Sequence, residues 1–317
     1  MSEFFRKLFG KKDAIEIAET DTVPVEPEST QNEPSEIPEA SNETAPLSVE
    51  NLTEISQRIS PPQLIAGCGH SVGKQRDHNE DALFTLTTSF VADSTLIPFG
   101  LYIVADGMGG HQHGELASGI AVRAVSSHIL RKLYLPLYGL RPEMPGDSLQ
   151  EIMQEAVMEG HRAIVKEVTN SGTTVTVAVI LGDQFMISHV GDSRAYAIYP
   201  DGNYKILTRD HSLVKRLEEL GQITSEEAAV HPQRNVLYRA LGQTEPFEPD
   251  SSSYPLPRGG YLMLCSDGMW GLVTNDEIVS IIKSTPKPEI ACQKLVSAAN
   301  EAGGPDNITV ILVHIPD

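Results

Sequence analysis

Leu101-Tyr102-Ile103-Val104-Ala105-Asp106-Gly107-Met108-Gly109-Gly110-His111 is the stretch whose reading decides the fold. Five uncharged residues rich in β-formers predict a strand buried on both faces, and the run stops at a carboxylate followed by a glycine-rich bend. An Asp-Gly pair after an apolar run is ordinarily a turn signal, so the pattern matters only if it recurs. It recurs at Phe185–Gly191, which runs into Asp192, and at Tyr261–Ser266, which runs into Asp267-Gly268. The mirror arrangement opens two further strands: Asn79-Glu80-Asp81 before Ala82–Leu86, and Gly304-Pro305-Asp306-Asn307 before Ile308–Ile315. If these ends meet at one edge of the fold, like charges crowd there and cannot all ionise without cations between them. The residues therefore predict a site for hard divalent metals.

Composition bounds the reading. The chain of 317 residues holds one large domain plus a tail, or two modest domains. No apolar run approaches the ~18–20 residues of a spanning helix, and no secretory leader opens the chain, which predicts a cytoplasmic protein. Cys68, Cys265 and Cys292 are odd in number and lack CxxC spacing, so they read as buried thiols rather than a disulfide framework or a zinc site. A formal charge of −19 argues against nucleic-acid binding.

Residues 1–12 place Phe4, Phe5, Leu8 and Phe9 on one face of a helix, flanked by Arg6, Lys7, Lys11 and Lys12. That pattern suits a weak membrane-surface or partner contact, or a frayed terminus. From Asp13 to Glu54 there are twelve acids, no Lys or Arg, and five prolines, so residues 1–61 are expected to be a disordered acidic tail with a basic amphipathic start. The domain is expected to span 62–317.

Within it, strands are predicted at Leu64–Cys68, Ala82–Leu86, Val175–Leu181 with one face to a core, Gln184–Gly191, Arg194–Tyr199, Tyr204–Leu207, Val236–Leu241, Gly260–Ser266 and Ile308–Ile315. Helices are predicted at Gly114–Leu133, carrying Leu116 among its apolar positions, and at Asp147–Val168, carrying Val165 among its own. Others fall at Ser212–Gly221, Asn275–Ser284 and Pro288–Ala302, the last with Ile290 inward. Tyr134–Gly146 reads as a loop. Gln222–Asn235 has weak periodicity and reads as a flap, since so long a loop in a compact domain is uncommon without a function.

Two divalent ions bridged by a shared carboxylate lower the pKa of a bridging water and clamp both oxygens of an in-line displacement at phosphorus. Asp106, ending the central strand, takes the bridge, and Gly107 exposes a carbonyl to an oxygen-loving ion. All-oxygen ligands favour Mg²⁺ or Mn²⁺ over zinc. Arg76, beside Glu80 and Asp81, is suited to hold a phosphate in bidentate fashion. Other phosphatase designs fail on spacing: Met108 stands where an Asp-x-Asp nucleophile pair needs its second acid, and neither Cys68 nor Cys265 has the arginine of Cys-x5-Arg. Gly67–Lys74 superficially resembles a nucleotide P-loop but has Gln75 where Ser or Thr is required.

Eight motifs now stand in order: Arg76-x-x-Asn79-Glu80-Asp81, Asp106-Gly-Met-Gly-Gly-His111, Ser171-Gly-Thr-Thr174, Val190-Gly-Asp192-Ser-Arg194, Asp210-His-Ser212, Arg239-Ala-Leu-Gly242, Ser266-Asp267-Gly268 and Gly304-Pro-Asp306-Asn307. The series resembles that of the metal-dependent protein phosphatase family, type 2C, in its bacterial serine/threonine form, over about residues 63–317. The resemblance implies an α+β, four-layer α-β-β-α sandwich of two antiparallel sheets flanked by helix pairs. It also implies Mn²⁺/Mg²⁺-dependent hydrolysis of phosphoserine and phosphothreonine in proteins. By position, Asp106 bridges two ions, the Gly107 carbonyl completes one, and Asp267 and Asp306 hold the other. Glu80 and Asp81 also belong to the metal site, acting nearby and partly through metal-bound waters, and Arg76 takes the substrate phosphate. Asp192 resembles the ligand of a third, weaker ion shared with Asp267. The expected partners are phosphoproteins and an opposing Ser/Thr kinase, with the chain acting as a monomer. The alternative is a catalytically silent module that binds phosphoproteins. Met108 follows the Asp-Gly pair where the animal branch has a histidine, so leaving-group protonation is open between His111, His113 and a metal-bound water.

Overall fold

The computed structural model describes residues 63–317 except 93–94, 110–111, 139–142, 144 and 244–247. The acidic tail and the amphipathic residues 1–12 lie outside the described residues, as does His111. The chain builds two antiparallel sheets. One runs in the order β1 (Ile65–Ser71), β11 (Ile308–His314), β10 (Tyr261–Cys265), β7 (Arg194–Ile198), β8 (Tyr204–Ile206). The other runs β2 (Asp81–Ala92), β3 (Thr95–Met108), β5 (Val175–Leu181), β6 (Gln184–Val190), β9 (Asp250–Pro255), with the short β4 (Gly172–Thr173) paired to the end of β3.

The period-2 alternation of strand side chains explains the layering. In β3, Leu101, Ile103 and Ala105 face helices α1 (Gln112–Ile129) and α3 (Leu149–Glu167), while Tyr102 and Val104 face the other sheet. In β10, Leu262 and Leu264 point between the sheets, and Met263 and Cys265 point at helices α7 (Asn275–Ser284) and α8 (Pro288–Glu301). Three hydrophobic cores therefore separate four layers, the expected α-β-β-α sandwich. Each fully buried large aliphatic side chain contributes ~1.5–3 kcal/mol, which is why strands without a polar face are tolerated at the centre. Tyr102 keeps its hydroxyl satisfied in this interior by bonding Thr87 Oγ1 at 2.9 Å.

Local chemistry sets the helix ends. Ser148 and Glu151 form a capping box at the start of α3, the Ser148 hydroxyl accepting from the Glu151 N–H and the Glu151 carboxylate accepting from the Ser148 N–H at 2.8 Å. Past Ile129 the first helix loosens into one π-helical turn, Leu130–Tyr134, followed by the short α2 (Leu135–Tyr138) where a loop was expected. Tyr134 and Tyr138 both pack on Phe99, with ring centroids 5.0 and 5.9 Å away.

Several expectations are corrected. Val236–Leu241 is not a strand; it makes single bridges, Leu237 to Ser212 and Leu241 to Thr173. The strand beside β6 is instead β9, whose Asp-Ser-Ser-Ser-Tyr-Pro sequence carries no apolar alternation. β5 is buried along its whole length, not on one face, because Thr176 spends its hydroxyl on His189 Nδ1 at 2.9 Å and the Ser193 carbonyl at 3.1 Å. Ile290 is exposed rather than inward, Leu116 and Val165 stand exposed although they belong to the apolar pattern of their helices, and Cys68 is exposed whereas Cys265 and Cys292 are buried. Gln222–Asn235 carries one short helix, α5 (Ser225–Ala229), following α4 (Leu213–Glu219). No helix among the described residues is long and apolar enough to cross a membrane.

Candidate active site

The strand ends meet as the sequence predicts. Arg76, Glu80, Asp106, Asp192, Asp267 and Asp306 line one cleft of about 220 Å³, with Gly107 in its wall and Asn235 and Leu237 closing it from the flap side. The β2–β3 ladder places Asp81 opposite Asp106 as cross-strand partners, and the Gly107 N–H extends the pairing to the Glu80 carbonyl at 3.1 Å. Asp192 follows the end of β6, Asp306 precedes β11, and Asp267 opens the one-turn helix α6 (Asp267–Trp270) after β10. Asp81 sits behind the cleft wall, its Oδ2 accepting from Ser266 Oγ at 2.8 Å.

The glycine after Asp106 is required by close approach. A Cβ at Gly107 would stand 2.2 Å from the Gly114 carbonyl oxygen and 2.6 Å from that of Glu80, so any side chain there would push β3 off helix α1. The Asp106 backbone is itself gripped by Thr173 of β4 and by Thr174, which links β4 to β5. Its N–H donates to Thr174 Oγ1 at 2.9 Å, and its carbonyl accepts from Thr174 N at 2.9 Å and Thr173 Oγ1 at 2.8 Å.

Asn307 joins the Arg76 loop to the start of β11. Its Oδ1 accepts from the Glu80 N–H at 2.7 Å, and its Nδ2 donates to the carbonyls of Val72 at 2.9 Å and His78 at 3.0 Å. Arg76 is thereby held where its Nη2 donates to Asp306 Oδ2 at 2.8 Å, with Nη1 3.8 Å from Glu80 Oε2.

Burial and mutual repulsion push Asp81, Asp106, Asp192 and Asp267 up. Asp81 rises to about 7, from burial first and then the charges of Asp267 and Asp306, against the Ser266 hydrogen bond. Asp267 rises to about 6 from burial and the charge of Asp306. Asp106 and Asp192 stand well above the ordinary carboxylate range, from burial and then their acidic neighbours. Burial alone would lower the Arg76 pKa, but the charge and hydrogen bond of Asp306 raise it.

Such a set of repelling, desolvated oxygen donors fits hard divalent cations, which relieve the repulsion without protonation. The site is not a closed cage: among the described residues no three His, Cys, Asp or Glu side chains converge on one point as metal ligands do. Of the candidate proton donors, His113 is exposed.

The reading of the motifs left several contributors without a role. Thr174 and Ser266 stand inside quoted motifs, but nothing in their spacing reveals that one grips the Asp106 backbone and the other the Asp81 side chain. Asn235 and Leu237 carry no motif, and only the length of the flap pointed to that segment.

The protein phosphatase 2C family model matches residues 65–308. The serine/threonine phosphatase stp of Listeria innocua is 35% identical over 248 residues, covering 76% of this chain and 92% of that one. The crystal structure of the Mycobacterium tuberculosis serine/threonine phosphatase PstP/Ppp superposes with a TM-score of 0.66 at 30% identity, covering 80% of this chain and all of that one. The PstP catalytic domain in complex with two manganese ions gives a TM-score of 0.65 at 29% identity, covering 81% and 100%. With the family model matched over residues 65–308 and these likenesses beside it, the chain belongs to the protein phosphatase 2C family.

Proposed function

We propose that this chain hydrolyses phosphoserine and phosphothreonine in proteins by direct in-line attack of water, with Mn²⁺ or Mg²⁺ as cofactor, and opposes a Ser/Thr kinase in the cytoplasm. The observation that carries the reading is the meeting of Asp106, Asp192, Asp267, Asp306 and Glu80 with Arg76 in one cleft. Asp106, the Gly107 carbonyl, Glu80, Asp81, Asp267 and Asp306 would hold two ions, and Asp192 with Asp267 a weaker third. When bound, the ions supply Lewis acidity that activates water and draws charge off the phosphoryl group.

The chain's own residues do the rest. Arg76 presents a planar fork to the phosphate from the cleft edge, where 46% of its side chain is exposed. Asn307 fixes the loop that carries it. Thr173 and Thr174 hold the Asp106 backbone at two points, so the central carboxylate meets the reaction already oriented. No nucleophilic side chain is required, in keeping with Met108 where a second aspartate would stand. The test is release of inorganic phosphate from a phosphothreonine peptide by the purified full chain, with Mn²⁺ and with a chelator. Metal-dependent release supports the reading, and absence of release under both conditions contradicts it.

A further inference from the structure

Trp270 is the chain's single tryptophan and occupies an unusual position. It ends the one-turn helix that Asp267 begins, and its indole Nε1–H donates to the backbone carbonyl of Asp192 at 3.0 Å. One short rigid element therefore ties together the backbones of two acids that arrive from different sheets. The indole cannot swing away. The Arg194 guanidinium lies 3.5 Å from the ring centroid, and Arg194 is itself held in bidentate fashion by buried Asp210, through Nε to Oδ1 at 3.0 Å and Nη2 to Oδ2 at 2.7 Å.

The rest of the Asp192 loop is pinned by other partners. Gly191, at φ +111, donates its N–H to His211 Nδ1 at 3.0 Å and accepts at its carbonyl from His211 N at 2.7 Å. Ser193 bonds Thr174 through the two hydroxyls at 2.7 Å. What these contacts leave is the peptide that carries Asp192 itself, and that is the one the indole takes. Filling the space and stacking on Arg194 would need only an aromatic ring. The N–H donated to the Asp192 backbone carbonyl is the added feature, and the peptide it fixes carries one of two carboxylates that repel each other.

We propose that Trp270 is a positioning residue for a weaker divalent-cation site formed by Asp192 and Asp267, its indole N–H holding the Asp192 backbone at the spacing from Asp267 that the cation needs. The inference rests on the metal-dependent reading given above. It assigns Trp270 no contact with substrate or cation.

The test uses the full chain, stripped with chelator and titrated with Mn²⁺ alone, followed by calorimetry and by the emission of this single tryptophan. Wild type is expected to show a tight phase and a weaker one. Trp270→Phe, which keeps a ring against Arg194 and loses the N–H, is expected to weaken the second phase at least 10-fold and leave the tight phase within twofold. Asp192→Asn is expected to abolish the weaker phase and, with it, the tryptophan emission change that accompanies that phase in wild type. An unchanged weaker phase in Trp270→Phe overturns the proposal while leaving the two-ion site standing. Should Trp270→Phe fail to fold by circular dichroism, Arg194→Lys decides, since it keeps the charge beside Asp210 and loses the planar group that fixes the indole: a weaker phase lowered at least threefold with the tight phase unchanged supports the proposal, and an unchanged weaker phase overturns it. Absence of any Mn²⁺ binding by wild type overturns this inference together with the metal-dependent reading.

Discussion

Arg76 and Asp306, 230 residues apart in the chain, meet at the cleft edge with Nη2 donating to Oδ2 at 2.8 Å. The contact sets the Arg76 guanidinium against the acids of the cleft, and the proposed role of that guanidinium in holding a phosphate dianion can be tested directly. A charge-assisted hydrogen bond is worth ~1.5–3 kcal/mol, so Arg76→Ala is expected to lower kcat/KM for p-nitrophenyl phosphate by roughly 10- to 150-fold. Arg76→Lys, which keeps the charge and loses the fork, should recover part of that loss. Steady-state kinetics with Mn²⁺ saturating checks both, and an unchanged kcat/KM in Arg76→Ala would remove Arg76 from phosphate binding.

Asn307 is buried, and its Oδ1 and Nδ2 are both spent on the loop that carries Arg76 and Glu80. Asn307→Ala leaves the Glu80 N–H and two carbonyls without their partner. The expected cost is about 2–4 kcal/mol, or roughly 5–15 °C in Tm for a domain of this size. Thermal denaturation of the chelated protein reads it directly, and a change under 2 °C would mean that water or the backbone takes over those bonds.

How much of this was legible in the sequence follows from what each residue's neighbours are. Asp106, Asp192 and Asp267 announce themselves because an apolar strand stops at each, and a strand buried on both faces needs no partner to be recognised. β9 was missed for the opposite reason: it is an edge strand whose Asp250-Ser-Ser-Ser segment is held by its backbone ladder and by the hydroxyls of Ser251 and Ser253, and neither leaves a hydropathy signature. Val236–Leu241 misled because its apolar residues read as strand, yet Val236 and Tyr238 are exposed at the flap. The supports of the site, Thr174, Ser266, Asn307 and Trp270, act through hydrogen bonds to residues 68, 185, 227 and 78 positions away respectively, a relationship that spacing cannot carry.

The raised carboxylates predict an inverted pH dependence for the metal-free protein. Asp81 and Asp267 stand at about 7 and about 6 in the folded chain, above the 3.8 of an unperturbed aspartate. The folded state therefore binds more protons than the unfolded state between about pH 4 and 7, and its stability falls as pH rises through that window. Chelator-treated protein is expected to melt several degrees lower at pH 8 than at pH 5.5. Mn²⁺ should raise Tm more at pH 8, where no proton competes for the carboxylates. A melting temperature that climbs with pH in the absence of metal would contradict the repulsion on which the metal site is argued.

Residues 1–60 precede the segment matched by the family, which begins at residue 65. Their deletion is expected to leave turnover of p-nitrophenyl phosphate within about twofold, since every residue lining the described cleft lies beyond them. Loss of turnover on so small a substrate would refute the division into tail and catalytic domain.

The central claim is that Asp106 organises a metal-dependent phosphatase centre, and the measurement that meets it most directly is phosphothreonine-peptide hydrolysis by wild type and Asp106→Asn at equal Mn²⁺, with bound manganese quantified on the same samples. The account predicts that the substitution keeps the fold, lowers the bound manganese and reduces turnover by at least 10³-fold, about 4 kcal/mol in the barrier. Turnover by Asp106→Asn within tenfold of wild type, with manganese content unchanged, would contradict it.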